Sequence, residues 1–293
     1  MEAVKRSLLL SVAALAAACQ GAPGAPGATP YPRTLEMTTW SVAAIDPVTG
    51  DVGVASASCV PSFADALAAL VPGKGAGATQ ASFDVGNRNV VYQAIQEGLT
   101  AEQVIARVTD PANDQNTDRR QYGVVTLNQG VVQVAGFTAP PRQGTTTPAD
   151  GGTPRWAGVK ADASMGVTVQ GNTLASEDVV GKALEAFQWT DPTGFNTLPD
   201  RLMRALEAGA VYGGDVRCNT ATTRQTAAMA FIVAARGSDA PYAAEAIGMS
   251  DQGTPNAPWL AISIRGERGG DNPLLELRLR YDAWRRAGGA ERR

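Results

Sequence analysis

Histidine is absent from all 293 residues. That excludes histidine-based nucleophile triads and every histidine-ligated metal site. Any chemistry must come from hydroxyls, amides, carboxylates, Arg, Lys or a freed amine. A basic excess is missing too: 25 Lys and Arg stand against 28 Asp and Glu, a formal net charge of -3. Only the last helix ends in a small Arg cluster, so nucleic acid is not an expected partner. Nucleotide and cation signatures fail as well. Gly73-Lys74-Gly75 lacks the P-loop spacing and the hydroxyl after Lys, and Asp110, Asp114 and Asp118 do not follow a calcium-loop spacing. The acidic loop over 109–119 therefore reads as solvated, and neither a cofactor nor a metal is expected. Cysteine is scarce, with three residues, Cys19, Cys59 and Cys218.

What is there begins with an export signal. Lys5 and Arg6 supply a positive start, and Leu8 to Ala18 form an apolar stretch too short to span a bilayer. Leu15-Ala16-Ala17-Ala18-Cys19 resembles a lipobox, the signal for acylating the cysteine, while its small residues also fit an ordinary signal peptidase. The expected organisation is a signal peptide over 1–18, a Gly/Pro/Ala tether over 19–36 headed by lipidated Cys19, and one folded domain over 37–293. Acyl chains on Cys19 would make this an exported, membrane-anchored lipoprotein facing the periplasm or cell exterior, touching the membrane through the anchor only. Cys59 and Cys218 then remain as an even pair in an oxidising compartment, either bridged or buried as free thiols.

Along the domain, Thr39–Ile45 and Val52–Cys59 alternate with strand period around an Asp46-Pro47…Gly50 turn. A short helix is expected around Phe63 to Leu70, then a Gly-rich loop over 72–77 and a strand over 78–81. Two helices come next. The first places Val90, Val91, Ala94 and Ile95 on one face and stops at Gly98. Thr100 and Gln103 form a capping box for the second, with Leu99 and Val104 as its staple. Gln121–Leu127 and Val131–Phe137 read as a hairpin around Asn128-Gln129-Gly130, succeeded by a Pro/Gly/Thr-rich excursion over 139–154. A strand over 167–169 runs into a Gln170-Gly171-Asn172 turn, and Ser176 caps a helix burying Val179, Val180, Ala183, Leu184 and Phe187. Leu198, Leu202 and Leu206 stripe the next helix, which Gly209 ends. Thr226–Ala235 and Leu260–Arg265 are strands, and Asn272-Pro273 opens a last helix. Paired strands separated by paired helices suit two sheets packed face to face with helices outside.

Candidate chemistry gathers at a few positions. Gln170-Gly171-Asn172 offers backbone and amide N–H groups that can converge on an oxyanion, or a turn satisfied locally. Asp215, after two glycines, and Arg224 offer a carboxylate and a guanidinium beside it, or a structural ion pair. Ser58 and Gln80 lie on strands near that pocket.

Several motifs together resemble a bacterial family known only as domain of unknown function 1028, classed as Ntn-hydrolase-like. They are Thr39-Trp-Ser-Val-Ala43, Asp46-Pro47 with Thr49-Gly50, Val54-Ala-Ser-Ala-Ser58, Gly77-Ala-Thr-Gln-Ala81, Arg120-Gln-Tyr-Gly-Val-Val125, Trp156-Ala-Gly158, Val169-Gln-Gly-Asn172, Ala205-Leu-Glu-Ala-Gly209, Gly213-Gly-Asp215 and Arg224-Gln-Thr-Ala-Ala228. Family members often carry His after Trp-Ala-Gly, where this chain has Val159. The resemblance implies an α+β fold, a four-layer αββα sandwich of the Ntn-hydrolase-like kind, with Thr39 in the nucleophile position. A free Thr39 amine, titrating near neutrality, would then serve as base. Two functions are compatible with this. One is an amidohydrolase or peptidase using Thr39, Asn172 and Asp215, with Ser58, Gln80, Gln170 and Arg224 against a small amide or peptide-like ligand. The other is a non-catalytic lipoprotein that keeps the pocket for binding.

Overall fold

The computed structural model describes residues 34–37, 39–61, 64–149, 151–219, 222–223, 225–240 and 258–291. The expected signal peptide, Cys19 and Arg224 lie outside the described residues. All the elements of the fold belong to the compact unit Tyr31–Arg293.

Every strand pairing is antiparallel, in two sheets. The first contains β1 (Thr34–Met37), β4 (Ala68–Val71), β5 (Gly75–Asp84), β6 (Arg120–Asn128) and β7 (Val131–Thr138). Its order is β1-β5-β6-β7, and β4 shares with β1 the edge of β5 away from β6. The second runs β12 (Leu260–Arg265), β11 (Met229–Ala235), β3 (Val52–Ser58), β2 (Thr39–Ile45), β10 (Val167–Leu174), β9 (Arg155–Asp162), β8 (Gly144–Thr146). This mixture of antiparallel sheets and segregated helices is an α+β fold.

The two sheets face each other, β2 lying against β5 and β6, and β10 against β6. On the far side of the first sheet pack α1 (Val85–Gln96) and α2 (Ala101–Val108); on the far side of the second pack α3 (Asp178–Gln188), α4 (Leu198–Val211) and α5 (Pro273–Arg286). Strand alternation sorts the side chains. Trp40, Val42 and Ala44 join the helix-side core with Leu202 and Leu206, whereas Ala43, Ile45, Val52 and Val54 join Ala76, Ala78 and Val125 between the sheets.

Local chemistry explains many boundaries. Asp84 caps α1 through the N–H groups of Gly86 and Asn87, and Thr100 with Gln103 forms the capping box of α2. Gln129 and Gly130, both at positive φ, close the β6–β7 hairpin in the left-handed geometry a two-residue turn requires.

Several segments differ from the sequence expectation. Residues 64–71 are a short 3-10 turn and then strand β4, not a helix. The Ala/Leu-rich sequence favours helix, but pairing with β5 and complete burial override that propensity. Strand β5 is longer than expected and begins at Gly75, within the anticipated loop. Gly209 does not end α4; it lies inside the helix, where a Cβ would stand 2.5 Å from Nε1 of Trp40. That ring nitrogen donates to the Leu206 carbonyl at 3.2 Å, so the glycine lets helix and indole meet. Ser176 accepts from the Asp178 N–H, but Glu177 occupies the cap position of α3. Finally, Asp114 is not solvated. It is buried and paired with Arg120 at 2.7 Å, and Asn87 donates to both Asp114 and the Tyr122 hydroxyl. Burial opposes its ionisation, yet Arg120 and the N–H donors of Asn116 and Asn87 hold the carboxyl below the ordinary range.

Candidate functional site

One end of the space between the sheets is apolar and the other is polar. At the polar end Ser41, Gln80, Gln121, Gln170 and Asn172, all buried, form one hydrogen-bonded chain. The Ser41 hydroxyl donates to Gln80 Oε1 and accepts from Gln170 Nε2, each at 2.6 Å. Gln80 Nε2 donates to Gln121 Oε1 at 2.7 Å and to the Thr39 carbonyl at 3.2 Å. Gln121 Nε2 donates to the carbonyls of Gly171 and Gly158 and to the Thr138 hydroxyl. Those acceptors fix which way the Gln121 amide points. Its Oε1 therefore receives Asn172 Nδ2 at 3.0 Å, and Asn172 keeps its own Oδ1 for something else.

Thr39 is fully buried at the start of β2, and its Oγ1 has no hydrogen-bond partner among the described residues. Unpartnered buried hydroxyls are uncommon in folded proteins and call for an explanation; those of Thr126 and Thr168 are in the same state. Ser58 stands directly opposite it in the β2–β3 ladder, with Oγ accepting from the Val60 N–H at 3.1 Å. On the other side the β2–β10 ladder ends at Trp40–Gly171, the pair next to Thr39 on one strand and Asn172 on the other. Directly opposed strand residues such as Thr39 and Ser58 put Cβ atoms about 4.5–5.5 Å apart.

Backbone strain concentrates here. Thr173 has φ 56° and Ala81, directly after Gln80, has φ 75°. Left-handed backbone at non-glycine residues, a β-branched one above all, clusters at functional sites. Thr173 belongs to a bulge between Gly171 and Leu174, which re-aims the end of β10. Thus Gln170-Gly171-Asn172 is strand, not the turn that the sequence suggested, and the side chains of Gln170 and Asn172 and the carbonyl of Gly171 all take part in the polar chain.

Asn172 and Thr173 also line a cavity of about 320 Å³, walled by Arg142, Thr146, Thr147, Arg155 and Ala157. Asn172 links the cavity to the polar chain through its bond to Gln121. Among the described residues, no acidic side chain lines the cavity.

Asp215 has a different setting. It is fully buried, and its oxygens accept from the N–H of Cys59 at 3.0 Å, the N–H of Arg217 at 3.0 Å and the Arg217 guanidinium at 2.6 Å. Burial pushes its carboxyl above the ordinary range, against the pull of Arg217 and the two backbone donors. Cys59 is bridged to Cys218, across a separation of 159 residues, so Asp215 anchors the strand end that carries the disulfide. The structure therefore brings together Thr39, Ser58, Gln80, Gln170 and Asn172 and gives Asp215 an ion pair with Arg217 beside them.

Sequence reasoning missed Ser41, Gln121, Arg142 and Arg155. A signal existed for the first two: each is a polar residue at an inward position of a strand otherwise reading Val/Ala/Gly. The arginines sit on the excursion and on β9, where no pattern announces a cavity.

The family model described as "Family of unknown function (DUF1028)" matches residues 39–255. Among solved structures, the chain is similar to the crystal structure of a protein from Silicibacter pomeroyi carrying the same family model. Identity is 21% and the TM-score 0.58, covering 84% of this chain and 89% of that one. At that identity the likeness speaks for the fold alone. No curated protein matches.

Proposed function

The chain belongs to the DUF1028 family, and from that premise, which carries no activity, we propose an Ntn-hydrolase-like amidohydrolase whose nucleophile is Thr39. The layer order helices, sheet, sheet, helices supports reading the fold as the four-layer αββα sandwich of such enzymes. The observation that carries the reading is the Thr39 hydroxyl: buried, without a hydrogen-bond partner among the described residues, at the strand head, and next to the ladder pair Trp40–Gly171 that leads into the cavity-lining Asn172. The family match begins at this same residue.

In this reading the Thr38–Thr39 peptide bond is cut, leaving Thr39 with a free α-amine. The amine takes the hydroxyl proton as Oγ1 attacks an amide carbonyl, and the proton passes to the leaving amine as the C–N bond breaks. Water then hydrolyses the acyl–threonine ester. Asn172 Nδ2 gives one hydrogen to Gln121, and its second N–H is the donor for the oxyanion. Gln80, Gln170 and Ser41 hold this constellation rigid, and Asp215 fixes the Cys59 end of β3 beside it.

We assign the substrate to amide or peptide bonds of the cell envelope. The Cys59–Cys218 bridge supports an oxidising compartment, in keeping with export and lipidation at Cys19. Cutting before Thr39 would also release the domain from that lipid. The test is hydrolysis of a panel of acyl amides by wild type and Thr39→Ala: activity in wild type that vanishes in the variant supports the reading, and equal activity refutes it.

A binding module is the second reading. It is favoured by one observation: Thr39 does not line the cavity and has no exposed surface while residues precede it. An uncut chain would offer the cavity alone.

A further inference from the structure

We infer that the cavity beside Asn172 is a binding site for a small ligand bearing a carboxylate, with Arg142 and Arg155 as its charge partners. This deepens the function proposed above by naming the charged end of its substrate; it rests on that reading only in the step from ligand to substrate.

Neither the Arg142 nor the Arg155 guanidinium has an ion-pair or hydrogen-bond partner among the described residues, although other half-buried arginines around the fold are engaged: Arg278 with Glu207, Arg285 with Asp200, Arg217 with Asp215. Two guanidinium groups on one cavity, with no carboxylate among the described residues that line it, make a concave positive site. Guanidinium presents a planar fork of N–H donors that matches a carboxylate two bonds at a time. The hydroxyls of Thr146 and Thr147 add neutral donors on the same wall. At about 320 Å³ the cavity lies at the small end of small-molecule sites, the size of one or two amino-acid residues.

Asn172 adds a second requirement. Its Nδ2 donates to Gln121, and its Oδ1 is buried without a donor among the described residues. A ligand N–H would satisfy that oxygen. Carboxylate and N–H a few bonds apart describe an N-acylated amino acid or the last residue of a peptide. Such a ligand would run from the arginines past Asn172 toward Thr39, with its amide nearest the hydroxyl.

The test uses the full chain carrying Thr39→Ala, so that binding is read without cleavage. N-acetylalanine, its neutral amide and inorganic phosphate are titrated by calorimetry. The acid should bind, and the amide should bind at least about tenfold more weakly, since hydrogen bonds to charged groups are worth about 1.5–3 kcal/mol. Arg142→Ala and Arg155→Ala should each weaken the acid by about tenfold or more, and Arg155→Lys should not restore it. Equal binding of acid and amide, phosphate binding as tightly as the acid, or acid binding unchanged in the double arginine variant would each overturn the inference. Acid-selective binding together with an inert wild type would keep the site and reject the hydrolase.

Discussion

Asn172 Nδ2 donates to Gln121 Oε1 at 3.0 Å, and this bond joins the cavity on one side to the buried glutamine chain on the other. Gln121 reaches it from the opposite sheet, so one side chain fastens the polar ends of both sheets. Each bond made in such a buried network supports its neighbours, while Gln170 Oε1 and Asn172 Oδ1 lack a donor among the described residues.

Gln121→Leu should therefore cost more than a surface substitution. It removes the only partner that Asn172 Nδ2 has among the described residues and one partner each from Gln80 Nε2 and the Gly171 carbonyl, and orphaned buried groups cost about 1–3 kcal/mol each. The expected outcome is a lower urea midpoint with an unchanged slope. A midpoint equal to wild type would show that the chain contributes nothing to stability.

The Asp114–Arg120 pair predicts both a mutational and a pH effect. Removing one partner leaves a charge buried alone, so Asp114→Asn should lose about 3–5 kcal/mol at neutral pH. Asp114 and Asp200 both titrate below the ordinary carboxylate range in the fold. For Asp200 burial is outweighed by donors from Thr197, Tyr281 and Arg285. A depressed carboxylate contributes stability above the unfolded-state pKa, about 3.9, that is lost as pH falls through the folded-state value. Stability should thus drop steeply below about pH 4, and more gently in Asp114→Asn. Parallel acid limbs in the two proteins would rule this out.

The Cys59–Cys218 bridge closes a long loop and holds the end of β3 beside Asp215. Replacing both cysteines by Ala should destabilise by about 2–4 kcal/mol. Thermal unfolding of the double variant checks it, and an unaltered melting temperature would show that the Asp215–Cys59 contact alone suffices to hold the strand end.

Much of this architecture is legible in the residues. The capping box at Thr100, the Asn128-Gln129-Gly130 turn, the inward faces of α3 and α4 and the run ending at Ala235 each carry a local code, and the structure obeys them. Where the code is local it works. Residues 64–71 mislead because pairing with β5 is a long-range fact that Ala and Leu propensities do not contain. The site is half legible for the same reason. Thr39 is reached through the family motif, Gln170 and Asn172 through an expected turn, and Ser58 and Gln80 as strand residues nearby, but Ser41 and Gln121 gain meaning only when two sheets meet. Arg142 and Arg155 gain theirs only when the excursion folds over the end of β10. Arg217, not anticipated as the partner of Asp215, lies two residues on, where a turn brings its guanidinium back.

The proposed chemistry needs one thing above all, a free amine on Thr39. Intact-mass and N-terminal sequencing of protein recovered from the envelope of the native cell measures it directly. A principal species beginning at Thr39 is expected in wild type, and none in Thr39→Ala. A wild-type domain found only as the chain extending upstream of Thr38 would refute the hydrolase and leave the cavity as a receptor.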